Sequence, residues 1–405
     1  MPIKMLTLED LDLKDRTVFL RVDINTPVHP ETGKLIERAR LEEAAVTIRD
    51  LPESRVVVAS HQGRVGRPDY VSLAQHATEL QEILGKPVKF VEDVFGPAAL
   101  QAMDGLASGE VLLIDNLGFT AEENQEYKPA EAEKTFLVRR IQRHVQACVL
   151  DAFSTAHRSS PTIVGFAGLV PTCAGRTVGH ELRMLDRIVS VEKGPYVTVL
   201  GGAKVSDRLE AIDALIANKR ADKVLLCGLI GLVFLKALGK YKGDLGVDGE
   251  QKAVLKARQL WDAEPTRYEL PIDMAVRGNG GRKEVDSSEL AGQVQVLDIG
   301  RKTVERYERF IKGAGTVFMS GPPGAFEWDD FSYGTESLLE AMASSLGTTI
   351  ISGGHLSSAL RKYGIHEQID HISTAGGALV QYLAGKRLPL IDALERASDR
   401  WGAKS

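Results

Sequence analysis

Eight short apolar runs punctuate the chain: TVFLRVDIN, RVVVASHQG, VLLIDNLGF, ACVLDAFS, YVTVLGGAK, KVLLCG, TVFMSGP and TTIISGGH. Each is rich in Val, Ile, Leu or Phe and closes on Gly, Asp, Asn or Ser. Unbroken apolar runs of strand length predict strands covered on both faces, the arrangement of parallel sheets. Segments of helical spacing lie between them. After GGAKVSD, Leu209, Ile212, Leu215 and Ile216 recur on one helical face. After Thr335, Leu338, Leu339 and Met342 do the same, with Gly347 placed to end the helix. The pattern predicts an α/β fold of strand, tight loop, helix units, with ligands collecting at the carboxyl ends of the strands.

One charged segment of helical pattern, GRTVGHELRMLDRIVSVEKGP from Gly175 to Pro195, separates a first set of strands from a second. It reads as an inter-domain helix over 179–192, between a domain spanning 1–178 and one spanning 193–388. A length of 405 residues agrees, being too great for one ordinary hydrophobic core. At 43% hydrophobic and 26% charged residues the composition is globular and excludes disordered and fibrous classes. Three cysteines without a CxxC pair suggest neither a disulfide framework nor a zinc site, and point to a reducing cytoplasm. The opening MPIKMLTLEDLDLKD has no apolar run of the export type. The run Val224 to Leu235 is too short to span a bilayer, so no membrane role is expected. A net charge of −5 argues against a nucleic-acid partner.

Positive charge is instead concentrated in short strand-end motifs. In RVDIN, Asp23 and Asn25 fall on one face of an extended chain, placed to grip hydroxyls; the alternative is an Asp/Asn turn after a buried strand. SHQGRVGRP crowds His61, Arg64 and Arg67 beside Gly63 and Gly66. The planar guanidinium fork matches phosphate oxygens, which makes Arg40, Arg64 and Arg158 better phosphate candidates than scattered lysines; the alternative for each is a solvated surface arginine. In the second half, Gly201, Gly202 and Lys204 lie between a strand and a helix start, where free backbone N–H groups and the helix dipole favour phosphate. Two more glycine-bearing loops follow strands there, GPPGAFE with Glu327 and SGGH with Ser352, Gly353, Gly354 and His355. Three such loops suggest a nucleotide, although GxxxxGK[ST] is absent. A fourth, Ser373-Thr-Ala-Gly-Gly377, completes the set; the alternative for it is a close-packing loop.

In order, RVDIN, HQGR, DAFSTAHR, GGAKVSD, GPPGAFE, SGGH and HISTAGGA resemble the signature segments of phosphoglycerate kinases, especially the archaeal branch, from about Thr17 to Leu390. The resemblance implies two Rossmann-like parallel-sheet domains joined by a helix and hinge. The first, with the C-terminal tail 389–405 packed back on it, would bind the glycerate; the second would bind the nucleotide, and the two would close. It implies reversible phosphoryl transfer between 1,3-bisphosphoglycerate and ADP, with magnesium carried on ATP or ADP and no metal held by the protein itself. By position, Asp23 and Asn25 would hold the glycerate, His61, Arg64 and Arg158 its phosphate, and Arg40 the transferring group. Lys204 would contact the transferring phosphates, Glu327 the ribose, and Ser352, Gly353, Gly354 and His355 the phosphate tail, alongside Gly201 and Gly202. A monomer or homodimer in the cytoplasm is the matching expectation.

Several positions depart from the family pattern. In LLIDNLGF, Gly118 stands where the resemblance calls for a phosphate-binding arginine. Ser320, Ser352, Ala375, Cys227 and Leu150 also differ, whereas His355 and Arg208 agree with the archaeal form. These departures leave two alternatives open at the level of sequence: a paralogue that binds nucleotide without this activity, and a kinase for a related phospho-acid.

Overall fold

The computed structural model describes residues 3–29, 32–190, 194–218, 221–278, 280–290, 295–373 and 375–402. It resolves into two compact units, one spanning Met1–Asp186 with Arg387–Ser405 and the other Arg187–Lys386.

The first unit is built on six parallel strands. They are β1 (Thr17–Val22), β2 (Arg55–Ala59), β3 (Val88–Val91), β4 (Val111–Ile114), β5 (Ala147–Asp151) and β6 (Thr172–Ala174), arranged β3-β4-β2-β1-β5-β6. Every residue of β1 is buried. Val18, Leu20 and Val22 join one core with Leu41, Ala45 and Ile48 of the helix Ala39–Arg49, while Phe19 on the opposite face stacks on Phe166 at 4.7 Å. That double covering is why the strand reads as an unbroken apolar run rather than an alternating one. Contacts that fix the C-terminal helix Pro389–Trp401 to this unit include Leu390 N–H to Ala156 O at 3.1 Å, Arg396 Nη2 to Val164 O at 2.7 Å, and Trp401 Nε1 to Ala167 O at 3.0 Å.

The second unit has two sheets. Six parallel strands, β7 (Tyr196–Leu200), β8 (Lys223–Leu226), β9 (Tyr268–Glu269), β13 (Thr316–Ser320), β14 (Thr348–Ser352) and β15 (His371–Ser373), run in the order β15-β14-β13-β7-β8-β9. A small antiparallel sheet, β11-β10-β12, comprises β10 (Asp273–Gly278), β11 (Gly281–Asp286) and β12 (Val296–Ile299). Buried Tyr307 donates its hydroxyl to Leu226 O at 2.9 Å and Glu269 O at 2.8 Å, tying the helix Arg301–Lys312 to β8 and β9.

The α/β class holds, and all eight runs contain strands. The helix after GGAKVSD spans Val205–Ala217, with Leu209, Ile212 and Leu215 buried. The helix after Ser332 spans Tyr333–Ala343 and stops four residues before Gly347. Gly347 does not end it but is pressed against the chain: a Cβ there would lie 2.4 Å from Ala314 O. The charged segment forms the helix Arg176–Ser190, and residues 191–193 of that stretch lie outside the described residues, as does Thr374 of the Ser373–Gly377 loop. The first unit gives way to the second at Asp186–Arg187, within this helix, and the tail joins the first unit from Arg387.

Candidate active site

In the first unit the carboxyl ends of β1, β2, β4 and β5 meet. Asp23 and Asn25 lie just past β1, but not on an extended strand. Asn25 N–H donates to Asp23 Oδ1 at 3.0 Å, which makes an Asx-type turn. The outer oxygen of Asp23 accepts from Arg40 Nη1 and from Ser154 Oγ. Arg38, two residues earlier, is committed elsewhere, to Glu79 and Glu82. Asn25 Oδ1 accepts the Gly63 N–H at 2.9 Å, joining the turn after β1 to the loop after β2.

Behind these groups lies a buried charge cluster that the sequence did not announce. Arg21 is 1% exposed. Its Nε donates to Thr162 Oγ1 at 3.0 Å, and its Nη2 meets His61 Nδ1 at 2.5 Å. Glu123, also buried, accepts from Ser160 Oγ at 3.0 Å, from Thr162 N–H at 3.0 Å and from the Thr162 hydroxyl. Thr162 therefore accepts from the cation and donates to the anion. Burial raises the Glu123 carboxyl above its ordinary range, and Arg21 with these donors pulls it back.

The same geometry fixes His61. A guanidinium can only donate, so Nδ1 accepts and the proton sits on Nε2, which points toward Glu123 Oε1 at 3.6 Å. Burial, then Arg21 and Arg158, holds its pKa well below 6.5, so the ring is neutral at neutral pH. His61 is thus a neutral link between Arg21 and Glu123. Arg64 and Arg158 are exposed. Gly118 is buried, and Tyr70 covers it: a Cβ on Gly118 would come within 3.1 Å of the Tyr70 ring.

In the second unit the switch point of the large sheet falls between β7 and β13, whose following loops face each other. Gly201 N–H donates to Ser320 O at 3.0 Å and Gly202 N–H to Pro322 O at 2.9 Å. A Cβ on Gly201 would lie 2.4 Å from Pro322 O, and one on Gly321 2.2 Å from Gly201 O. Gly321 also has φ of 80°, so both the close approach and the backbone demand glycine. Ser320 Oγ is buried with no partner among the described residues. Lys204 is exposed at the start of the helix Val205–Ala217, and His355 is exposed in the first turn of the helix Gly354–Tyr363. Gly353 N–H donates to Ser373 O at 2.9 Å, joining the loops after β14 and β15.

Glu327 is exposed at the end of the loop after β13. The small antiparallel sheet steadies that loop. Ala325 N–H donates to Leu297 O at 2.8 Å, and Arg282 pairs with buried Asp298 at 2.8 Å while reaching Asp330 O at 3.2 Å. Burial pushes the Asp298 carboxyl up to about 6.

Sequence reasoning missed Arg21, Ser154, Glu123 and Thr162. Arg21 and Ser154 lie inside motifs already singled out, and their polarity amid buried positions was the available signal. Glu123 and Thr162 sit in segments of ordinary composition and had none.

The model of the phosphoglycerate kinase family matches residues 8–386. Phosphoglycerate kinase of Methanothermobacter thermautotrophicus is 41% identical over 401 residues, covering 97% of each chain. That of Pyrococcus horikoshii is 38% identical, covering 98% of this chain and 99% of its own. The crystal structure of the Pyrococcus horikoshii enzyme superposes with a TM-score of 0.91, over 98% of this chain and 100% of that one. The phosphoglycerate kinase structure from Coxiella burnetii, 30% identical, gives 0.76 over 98% and 99%. With paired glycine loops at the switch point of one sheet and guanidinium groups at the strand ends of another, the chain belongs to the phosphoglycerate kinase family and is a phosphotransferase.

Proposed function

We propose that the chain transfers a phosphoryl group reversibly between 1,3-bisphosphoglycerate and ADP, giving 3-phosphoglycerate and ATP, with each unit binding one substrate. The observation that carries this reading is the pair of facing loops after β7 and β13. Their glycine backbones approach too closely for any side chain, beside an exposed lysine at a helix start. The Gly201 and Gly202 N–H groups are themselves bonded to Ser320 O and Pro322 O, so what the glycines give a polyphosphate is close access to the helix start, where the helix dipole and the Lys204 charge favour it.

In the first unit Asp23 and Asn25 take the glycerate hydroxyl and carboxylate region, and Arg64 and Arg158 take its phosphate. Asp23 also aims Arg40, which neutralises charge on the transferring group. His61, as a neutral Nε2–H tautomer, orients Arg21 without adding charge. In the second unit Gly201, Gly202 and Lys204 cradle the transferring phosphates, Ser352, Gly353, Gly354 and His355 the phosphate tail, and Glu327 the ribose.

No general base is required, because the acceptor carboxylate of 3-phosphoglycerate is already ionised. Phosphoryl transfer spreads negative charge over the equatorial oxygens, which guanidinium, ammonium and backbone N–H groups stabilise by position. The loops Gly201–Lys204, Gly321–Gly324 and Ser352–His355 contain no carboxylate. Their donors suit phosphate oxygens rather than a bare cation, and magnesium is taken as part of the Mg-nucleotide substrate. The reading places this glycolytic reaction in the cytoplasm, on a monomer or homodimer with small-molecule partners alone. No described helix is long and apolar enough to cross a membrane.

Lys204→Ala is expected to lower kcat about 10²- to 10³-fold, the usual effect of removing one transition-state charge contact. Steady-state kinetics with 3-phosphoglycerate and Mg-ATP measure it. An unchanged kcat would remove Lys204 from the reaction.

A further inference from the structure

The loop between Gln62 and Tyr70 is built as two successive turns. Arg67 N–H donates to Arg64 O at 2.9 Å and Tyr70 N–H to Arg67 O at 3.1 Å, so Arg64, Arg67 and Tyr70 mark the ends of the two turns. Gly63 and Gly66 hold φ of 68° and 79°, and a Cβ on Gly63 would strike Asp69 O at 2.2 Å. The loop's path is therefore set by its glycines.

Both ends are pinned. At one, Gly63 N–H bonds Asn25 Oδ1, and Gln62 Nε2 bonds Thr26 O at 2.9 Å and Asp69 O at 3.1 Å. At the other, the Tyr70 hydroxyl donates to Gly118 O, a Cβ on Gly118 would lie 3.1 Å from its ring, and Phe119 meets it edge-on at 5.1 Å. Between the pins, Arg64 and Arg67 are exposed and form no ion pair among the described residues. In the same unit Arg38, Arg40, Arg176 and Arg396 are paired with carboxylates, whereas others, Arg55, Arg140 and Arg158 among them, are not so paired among the described residues.

We propose that Arg67 is a further ligand of the glycerate phosphate and that Tyr70 is the positioning residue that anchors its loop at Gly118. This rests on the reading of the first unit as the glycerate-binding half. A Cβ on Gly118 would lie 3.0 Å from Asn116 Oδ1 and 3.1 Å from the Tyr70 ring, so the bare glycine lets both side chains pack closely against it. Two forked donors three residues apart on a preformed loop suit the several oxygens of a phosphate monoester.

Calorimetric titration with 3-phosphoglycerate and, separately, with ADP tests this on the full chain. Arg67→Ala is expected to weaken 3-phosphoglycerate binding about ten- to a hundredfold, the loss of one charge-assisted contact, and to leave ADP binding unchanged. Arg67→Lys should recover only part of it, because a point charge replaces the fork. Tyr70→Phe should weaken the same ligand severalfold, and the Arg67→Ala/Tyr70→Phe pair should bind no worse than Arg67→Ala alone. A merely structural tyrosine would give additive losses, which overturns its positioning role. If wild type binds 3-phosphoglycerate and Arg67→Ala matches it within about twofold, the proposal for Arg67 fails alone. If wild type does not bind it, the glycerate reading fails and this inference with it.

Discussion

Arg21 and Glu123 are ions buried beneath the strand ends, and each is tolerable only because the other is there. Burying a lone charge costs several kcal/mol, and Thr162 and Ser160 satisfy what the pair leaves over. Glu123→Gln keeps the shape but strands the guanidinium. It is expected to lower unfolding stability by about 3–5 kcal/mol, read from denaturant midpoints. A loss under about 1 kcal/mol would mean that Arg21 finds compensation elsewhere.

Buried His76 makes a second residue-scale case: its Nε2 meets Gln62 Oε1 at 3.0 Å, and burial holds its pKa at about 4 against 6.5. Between those values the unfolded chain takes up a proton that the folded protein refuses, so this group's stabilisation falls as pH drops through that window. His76→Gln does not titrate there. The stability gap between wild type and variant should therefore shrink from neutral pH toward about pH 4.5, and a constant gap would contradict the assignment. At this scale the sequence was partly legible. Asp23 and Asn25 stood out as short polar types at a strand end and Arg40 as a forked donor, and Asp23 does accept from both Arg40 and the Asn25 N–H. Glu123 was invisible because a glutamate in a polar segment looks solvated until the fold closes over it.

At the scale of elements, loops rather than strands carry the constraint. The contact of Gly201 and Gly321 at the β7–β13 switch point leaves no volume for a methyl group on either. Gly321→Ala adds a clash with backbone to a strained φ, and is expected to cost about 2–4 kcal/mol of stability. It should also raise the KM for nucleotide while leaving the KM for 3-phosphoglycerate unchanged. Equal effects on both substrates would show that the loop does not belong to the nucleotide alone. The long strands were legible because burial on both faces makes them continuously apolar. β3, half exposed, and β11, with the sequence GRKEVD, were not, since neither shows an unbroken apolar run. The short strands β6 and β9 are stabilised by neighbours that no local window contains.

For the whole molecule, the order of motifs along the chain revealed more than any one of them. A lone GGxK or RVDIN has a bland reading; their succession across two α/β units does not. The departures from the pattern had a structural content that sequence could not reveal, since Tyr70 reaches Gly118 across 48 positions of chain. They do not set the chain apart from its family, which matches it over nearly its full length. The central claim concerns the reaction itself, so the direct measurement is phosphoryl transfer by the purified protein. Mg-ATP would be offered with 3-phosphoglycerate and, in parallel, with related phospho-acids, and the acyl phosphate product followed by phosphorus NMR. The account predicts rapid formation of 1,3-bisphosphoglycerate and its reversal by ADP. Nucleotide binding without transfer to 3-phosphoglycerate, or faster transfer to another acid, would contradict it.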